Sequence, residues 1–273
     1  MYNNSKINFF YDNPVRTVEE CLKKKLDLNY KVCSNCVFDS SIEGIEFDKN
    51  GTCSFCNDHK VLSHNKKNSL DQILKKLKKK NNSNYDCIVG LSGGVDSSYV
   101  ALKCKELGLR TLLVHFDNGW NTETATKNIE VIQNYTNFDL VTHIVDWEEF
   151  RDLQLSFLKA GLTNFEAPSD HGIFATVYNY ALKENIKYII TGVNSATEAI
   201  NINTKNKKLL FWYGYLYHDL YHIISINKIF SNKNELKTFP SISLFKRKFL
   251  EMTGKLNTIH LLNYISYNKK EAI

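Results

Sequence analysis

The sequence contains no long hydrophobic run, and this absence limits where the protein can reside. No stretch of about 18 apolar residues, the length that crosses a bilayer, occurs in the chain. The first residues, MYNNSKINFFYDNP, lack the apolar block and the small-residue cleavage site of a secretory signal. Internal repeats and low-complexity tracts are also absent. We therefore expect a cytoplasmic protein that does not engage a membrane.

Two widespread nucleotide-binding motifs are missing as well. The chain has no GxxxxGK followed by Ser or Thr, so it lacks the Walker A lysine that grips terminal phosphates. It has no GxGxxG either, which argues against a dinucleotide-dependent oxidoreductase. Any phosphate site must therefore use a different sequence.

The composition is that of an ordinary globular protein. With 273 residues and 43% hydrophobic content, the chain can form one large domain and a small accessory module. The net charge is +6, but much of it comes from a run of lysines at 75–80, on a predicted amphipathic helix. A solvated helix face explains this charge, so we do not expect a nucleic-acid partner.

Short β-branched runs alternate with helical patterns in the middle of the chain. We predict strands at residues 85–91, 111–116, 140–146 and 187–192, with a helix after each of the first three. Continuous apolar strands are typical of a parallel sheet covered on both faces, so the predicted fold is α/β with a doubly wound parallel sheet. The predicted parts are an N-terminal segment (1–65), this α/β domain (66–200) and a helical C-terminal extension (201–273).

The sequence SGGVDSS, at residues 92–98, directly follows the first predicted strand and opens a helix. In α/β folds this position binds phosphate, because the turn and the helix N-terminus point N–H groups at the anion. Gly93 and Gly94 allow the turn, and the hydroxyls of Ser92, Ser97 and Ser98 can donate hydrogen bonds. A simple helix N-cap is the alternative interpretation. The loop predicts a pyrophosphate-binding site.

Four of the seven cysteines form two CxxC pairs. Cys33 and Cys36 are followed, after sixteen residues, by Cys53 and Cys56. This spacing is typical of a tetrahedral four-cysteine zinc site. Because protein ligands would fill all four positions, the predicted metal is structural rather than catalytic.

Further polar residues fall at the same predicted edge of the sheet as SGGVDSS. The segment EAPSDH, which includes Asp170 and His171, precedes a helix, and TGVNSATE, which includes Asn194 and Glu198, follows the fourth strand. Asp170 could instead be an N-cap, and His171 a surface residue of the first turn. Because a glycine turn at a strand end exposes its neighbours, Asn194 and Glu198 are candidate site residues.

The loop resembles the signature of the PP-loop (N-type) ATP pyrophosphatases. The resemblance implies that the bond between the α- and β-phosphates of ATP is cut and that Asp96 helps hold magnesium and pyrophosphate. It also implies that adenine and ribose lie near the end of the second strand. The implied ATP-binding residues are Ser92, Gly93, Gly94, Val95, Asp96, Ser97, Ser98, His115, Phe116, Asp117, Asn118, Gly192 and Asn194. The candidate catalytic residues are Asp96, Ser97, Asp170, His171 and Glu198.

Several segments together resemble a narrower family, the N-acetyl sugar amidotransferases of surface-polysaccharide and flagellar-glycan pathways. They are, in order, CSNCVFDSSIEGIEFDKNGTCSFC, SGGVDSS, HFDNGWNTE, DWEEFRDLQ, EAPSDHGI and TGVNSATE. The resemblance implies ATP-dependent conversion of an acetamido group on a nucleotide sugar to an acetamidino group. It also implies an ammonia-supplying glutaminase partner, similar to the histidine-pathway amidotransferase pair. Relatives of this type continue past NYISYNKKEAI, so we expect a truncated C-terminus.

Two other functions stay open. A tRNA-thiolating enzyme could combine a zinc knuckle with such a loop, but sulfur transfer needs a cysteine or an iron–sulfur cluster in the cleft. No cysteine follows Cys104, and both Cys87 and Cys104 are predicted in core elements. The other alternative is a non-catalytic subunit that binds zinc and nucleotide.

Overall fold

The computed structural model describes residues 30–40, 42, 44–57, 70–78, 83–161, 165–194, 220–231, 236–265 and 267–273. The strands are β1 (Cys87–Gly90), β2 (Thr111–Asp117), β3 (Asp139–Ile144), β4 (Tyr188–Thr191) and β5 (Asn257–His260). The helices are α1 (Leu70–Leu77), α2 (Val95–Glu106), α3 (Glu123–Thr136), α4 (Trp147–Lys159), α5 (Ala167–Lys183), α6 (Leu220–Phe230), α7 (Leu244–Met252) and α8 (Lys269–Ala272), with a 3-10 turn at Leu261–Asn263.

In the described part of the chain, five strands form one sheet in the order β3-β2-β1-β4-β5. Every neighbouring pair is parallel. The strand order reverses at β1, whose neighbours β2 and β4 lead away in opposite directions. This reversal opens a crevice at the carboxyl ends of β1 and β4, where doubly wound sheets bind ligands. The predicted α/β fold is confirmed.

Helices cover both faces of this sheet. On one face, Val100 of α2 and Ile129 and Ile132 of α3 pack against Val89 and Leu113. On the other face, residues of α5 and α7 pack against the opposite sides of β1, β2 and β4. A third apolar cluster joins α4 to α6 near the end of β2. Because both faces are buried, β1 and β2 are nearly continuous apolar runs, as predicted.

The fifth strand was not predicted, since it lies in the segment expected to be a helical extension. Residues 257–260 pair with β4 in the register Tyr188↔Asn257 to Thr191↔His260. The strand is short, half-buried and polar, so it lacks the apolar run that marks an interior strand. The C-terminal segment therefore contributes directly to the sheet. The predicted domain boundaries stay predictions.

No helix in the described ranges combines the length and apolar character that crossing a bilayer requires.

Candidate functional site

The SGGVDSS loop connects β1 to α2 at the carboxyl edge of the sheet. Gly94 is the N-cap of α2, and within the described residues no side chain caps this helix. By contrast, α3, α4 and α7 are capped by the side chains of Thr122, Asp146 and Ser243. The first N–H groups of α2 are therefore left without a side-chain cap and face the loop, where the helix dipole favours an anion. The N-cap alternative for Asp96 and the serines does not apply.

Two glycines around this loop lie close to neighbouring backbone. Gly93 has φ +75°, and a Cβ there would lie 2.2 Å from the carbonyl oxygen of Ala125 in α3. The Nδ2 of Asn128 also donates to the Gly93 carbonyl at 2.9 Å, which ties the loop to α3. A Cβ on Gly192, after β4, would lie 3.0 Å from the carbonyl carbon of Asp96. The loop backbone therefore lies close to α3 at Gly93, and the backbone after β4 lies close to α2 at Gly192.

The serine hydroxyls of the loop play different roles. Ser97 Oγ accepts from the Ser92 N–H at 3.2 Å and lies 3.0 Å from Ser92 Oγ. Ser92 Oγ in turn accepts from the Gly94 N–H at 3.3 Å. These bonds hold the turn in shape and leave both side chains on the cavity wall. Ser98 Oγ is buried without a partner among the described residues and does not line the cavity.

Asp96 lies in the first turn of α2 and lines the cavity. Its Oδ1 accepts a hydrogen bond from the hydroxyl of Tyr267, which is 171 residues away in sequence. The Tyr267 ring also lies against Tyr99 of α2, with ring centroids 5.4 Å apart. A residue of the C-terminal segment thus fixes the orientation of the predicted magnesium-binding carboxylate.

The end of β2 forms a second wall. His115 is buried, with Nδ1 2.8 Å from the Leu91 carbonyl oxygen and Nε2 3.0 Å from Asn121 Nδ2. The Oδ1 of Asp117 accepts from Asn121 Nδ2 at 2.9 Å, so the carboxylate organises the turn after β2. His115, Phe116, Asn118 and Asn121 line the cavity, whereas Asp117 does not. Asn121 was not predicted.

The loop and this wall open into one cavity with a volume of about 1160 Å³. This volume exceeds the roughly 300–1,000 Å³ of a typical small-molecule site, so it can hold a nucleotide and a second substrate. The predicted residues that line it are Ser92, Gly94, Val95, Asp96, Ser97, His115, Phe116, Asn118 and Gly192. The cavity therefore brings most of the predicted ATP-binding residues together.

Other predicted residues lie off the cavity wall. Besides Ser98 and Asp117, these are Gly93, Asp170, His171 and Asn194, while Glu198 lies outside the described residues. Asn194 is 2% exposed, and its Nδ2 donates to the Gly192 carbonyl at 3.1 Å. It therefore shapes the turn after β4 rather than facing a ligand.

His171 is buried inside α5 and does not lie on the surface of the first turn. Its Nε2 accepts a hydrogen bond from the Ile242 N–H at 3.2 Å, and its ring stacks on Phe239. Glu149 binds the same segment, accepting from the N–H groups of Lys237, Thr238 and Phe239. Since His171 does not touch the cavity, the geometry favours a positioning role over contact with substrate.

The four predicted metal ligands come together in the N-terminal module. The Sγ atoms of Cys33, Cys36, Cys53 and Cys56 all lie within 4.8 Å of one another. The distances are 3.9 Å between Cys33 and Cys56 and 3.7 Å between Cys36 and Cys53. Four thiolates bound at about 2.3 Å around one tetrahedral centre lie about 3.8 Å apart. The residues present therefore fit a single metal ion.

Backbone donors favour ionisation of the Cys33 thiol, whereas burial raises the pKa of Cys36 to about 12 and also raises that of Cys53. Burial acts against the thiolate of Cys33, but N–H groups of Asn35 and Cys53 at 3.3 and 3.2 Å outweigh it and lower its pKa to about 6. Metal ligation requires the thiolate form.

The residues at the far end of the cavity were missed by the sequence analysis. They are Phe174, Thr176, Tyr178, Arg247, Glu251, Thr258 and His260. No motif marked them, because they come from α5, α7 and β5 and meet only when β5 joins the sheet. Lys269 of α8 also lines the cavity. The SGGVDSS loop itself contains no lysine, so this lysine reaches the cavity from the C-terminal segment.

No family model and no curated protein matches the chain. Solved structures with similarity include the NH3-dependent NAD synthetase of Campylobacter jejuni in complex with nitrate, with 18% identity, 64% of this chain and 72% of that chain covered, and a TM-score of 0.38. The U34-tRNA thiolase NcsA of Methanococcus maripaludis with its 4Fe–4S cluster is 16% identical, with 85% of this chain and 85% of that chain covered and a TM-score of 0.33. The NMN synthetase of Francisella tularensis is 14% identical, with 80% of this chain and 84% of that chain covered and a TM-score of 0.34. At these TM-scores the similarity adds no argument about function.

Proposed function

We propose that the chain is an ATP-dependent amidotransferase that releases AMP and pyrophosphate while converting an acetamido group of a nucleotide sugar to an acetamidino group. The observation that carries this proposal is the SGGVDSS loop, which presents uncapped N–H groups of α2 to a cavity with a second polar end. The first end suits the phosphates of ATP, and the second leaves room for an acceptor. The proposed pathway is the biosynthesis of LPS O-antigen, or of the flagellar-glycan sugars pseudaminic and legionaminic acid.

The reaction follows from the weakness of an amide as an electrophile. The amide oxygen attacks the α-phosphorus of ATP, the bond to the β-phosphate breaks, and pyrophosphate leaves from the SGGVDSS loop. Ammonia then adds to the imidate carbon, and the carbon–oxygen bond breaks to release AMP. The loop N–H groups stabilise the departing charge, and no protein nucleophile is needed.

The residues divide these tasks. Ser92 and Ser97 shape the phosphate-binding turn, and Asp96, oriented by Tyr267, is the proposed magnesium ligand. Magnesium at this carboxylate would neutralise the charge that develops on pyrophosphate. His115 and Phe116 form the wall proposed for the nucleoside.

The other components are proposed on chemical grounds. Zinc in the four-cysteine module is structural, because the sulfur distances fit one ion and thiolates on four separate irons would lie further apart. Ammonia comes from a separate glutaminase, since the sequence offers no glycine-flanked cysteine nucleophile. We place the reaction in the cytoplasm.

A tRNA-thiolating enzyme is the second candidate, favoured by the four-cysteine module and the net charge of +6. Two observations oppose it. Cys87 and Cys104 are fully buried and do not line the cavity. The hydrogen bond to Cys87 and burial also raise the pKa of Cys104, which disfavours a nucleophilic thiolate.

The test measures AMP and pyrophosphate release from ATP with magnesium and an ammonium salt, comparing diacetamido nucleotide sugars with bulk tRNA. Sugar-dependent AMP with a product about one mass unit lighter, oxygen replaced by NH, supports the amidotransferase. Asp96→Ala should abolish the signal while the protein stays folded. AMP that depends on tRNA supports thiolation, and ATP binding without AMP release with either acceptor supports a non-catalytic subunit.

A further inference from the structure

The cavity has a second polar end, which we call the distal lobe. Its residues are Phe174, Thr176 and Tyr178 of α5, Arg247 and Glu251 of α7, and Thr258 of β5. The lobe lies on the face of the sheet covered by α5 and α7, whereas α2 and α3 cover the opposite face. The phosphate-binding turn contributes no residue to it. The distal lobe is therefore a separate binding surface within the same cavity.

The charged groups of the distal lobe are held in place before any ligand arrives. Arg247 Nε donates to Glu251 Oε1 at 3.2 Å, and Tyr178 OH donates to the same oxygen at 2.8 Å. The Arg247 guanidinium also lies 4.9 Å from the centre of the Phe174 ring and 5.6 Å from that of Tyr178. A planar cation held between two rings and a carboxylate has few alternative positions.

The two charges offset each other, which determines the kind of ligand that fits. Burial would raise the pKa of Glu251, but the Tyr178 hydrogen bond and the charges of Arg247 and Lys248 hold it below its usual value. Glu251 is therefore ionised at neutral pH and forms an ion pair with Arg247. A polyphosphate gains little from a guanidinium already paired at 3.2 Å, whereas a neutral ligand can donate to Glu251 and accept from Arg247.

A third observation points to a missing hydrogen-bond partner. Thr176 is 1% exposed and lines the cavity, yet its Oγ1 has no partner within the described residues. A buried hydroxyl without a partner is destabilising, so such groups in native proteins usually have a reason. A ligand in the distal lobe would supply the partner.

We propose that the distal lobe binds the sugar part of the acceptor, a neutral ring bearing hydroxyl and amide groups, with Arg247 as hydrogen-bond donor, Glu251 as hydrogen-bond acceptor and Thr176 as an added contact. The lobe's apolar wall of Val114, Val177 and Leu256 contacts the ring carbons. Arg247, Glu251 and Thr176 are specificity-determining residues in this assignment, and ATP does not need them. This inference rests on the proposed function in identifying the ligand as the acceptor. Binding of the ligand to the distal lobe does not depend on turnover.

The experiment measures binding by calorimetry, with the phosphate-binding loop saturated by α,β-methylene-ATP and magnesium. UDP-N-acetylglucosamine and UDP-N-acetylgalactosamine are the probes. We expect Arg247→Met and Glu251→Gln to weaken binding of a probe at least about tenfold while the affinity for α,β-methylene-ATP stays unchanged. Lys246→Gln is the matched control, because it removes a charge from an exposed position of α7 that does not line the cavity.

Thr176→Val separates a ligand contact from a structural one. Valine keeps the shape and removes the hydroxyl, so it should raise the unfolding temperature of the ligand-free protein and weaken probe binding. A structural hydroxyl would show a lower unfolding temperature and unchanged binding instead.

Three results would overturn the assignment: no binding of either probe to the unaltered protein, unchanged probe affinity in the Arg247 and Glu251 variants, or an equal loss of nucleotide affinity. Failure of the proposed function is a different result, namely probe binding in the distal lobe but no AMP release once ATP and an ammonium salt replace the analogue.

Discussion

At the scale of single residues, Asp96 and Tyr267 form the contact that links the C-terminal segment to the phosphate site. Asp96 lines the cavity, and its carboxylate has two oxygens, so it can accept from Tyr267 on Oδ1 and still offer Oδ2 to a metal ion. Tyr267 is therefore a positioning residue that acts through Asp96. Its hydroxyl contributes orientation, whereas its ring packs on Tyr99.

Tyr267→Phe tests this role. Phenylalanine keeps the ring and loses one hydrogen bond, which is worth about 1 kcal/mol, so we expect about a fivefold loss in the rate of AMP formation. The magnesium concentration for half-maximal rate should also rise, which a purely structural contact would not cause. The measurement is a magnesium titration of pyrophosphate release. Tyr264→Phe, nearby and off the cavity wall, is the control, and an identical magnesium dependence in both variants contradicts the role.

At the scale of elements, the turn between β1 and α2 depends on backbone conformations that few residues adopt. Gly93 combines a positive φ of +75° with the close approach of α3. Gly254, after α7, has φ +64° but nothing within 4 Å of the position of a Cβ. A side chain at Gly254 would therefore cause conformational strain alone, whereas a side chain at Gly93 would cause strain and a steric clash with α3.

Substitution of each by alanine measures the two effects. We expect Gly254→Ala to lower the free energy of unfolding by about 1–2 kcal/mol, the cost of the left-handed conformation alone. Gly93→Ala should lower the free energy of unfolding by at least about 3 kcal/mol, because the Cβ would also displace α3. This variant should also abolish ATP binding. Urea denaturation gives both values. Equal losses in the two variants would mean that α3 moves away freely.

The four-cysteine module is the second element with a direct test. Cys53 is fully buried, so Cys53→Ser should reduce the zinc content from about one ion per chain to near zero and lower the unfolding temperature. Cys104→Ala is the control, because it removes a buried thiol of the core and leaves the metal ligands intact. Metal analysis by mass spectrometry gives the outcome. Full zinc content in Cys53→Ser would remove this assignment.

At the scale of the whole molecule, the cavity draws its walls from nearly every part of the α/β fold. Its residues come from β1, β2, β4, β5, α2, α5, α7 and α8. Because these elements must be assembled for the site to exist, nucleotide binds only the folded chain and stabilises it by linkage.

ATP with magnesium at 100 times its dissociation constant should therefore add about 2.7 kcal/mol to the free energy of unfolding. For a domain of this size we expect a rise of about 5–10 °C in the unfolding temperature. Differential scanning calorimetry provides the measurement, with Asp96→Ala as the comparison. A shift of the same size with ATP that lacks magnesium would contradict a role for the metal at Asp96.

The sequence by itself determined the parts of this protein that depend on local pattern. Apolar and β-branched runs identified β1 to β4, of which β1, β2 and β4 are buried in the covered sheet. The CxxC spacing identified the metal ligands, because neighbouring thiols share one ion. SGGVDSS marked the phosphate turn for the same local reason. Only the tertiary structure decided that Asp117 and Asn194 shape turns, that His171 anchors a neighbouring segment, and that β5 completes the sheet. It alone brought Tyr267 to Asp96 and Arg247 to Tyr178, because contacts across large sequence separations leave no periodic signal in the chain.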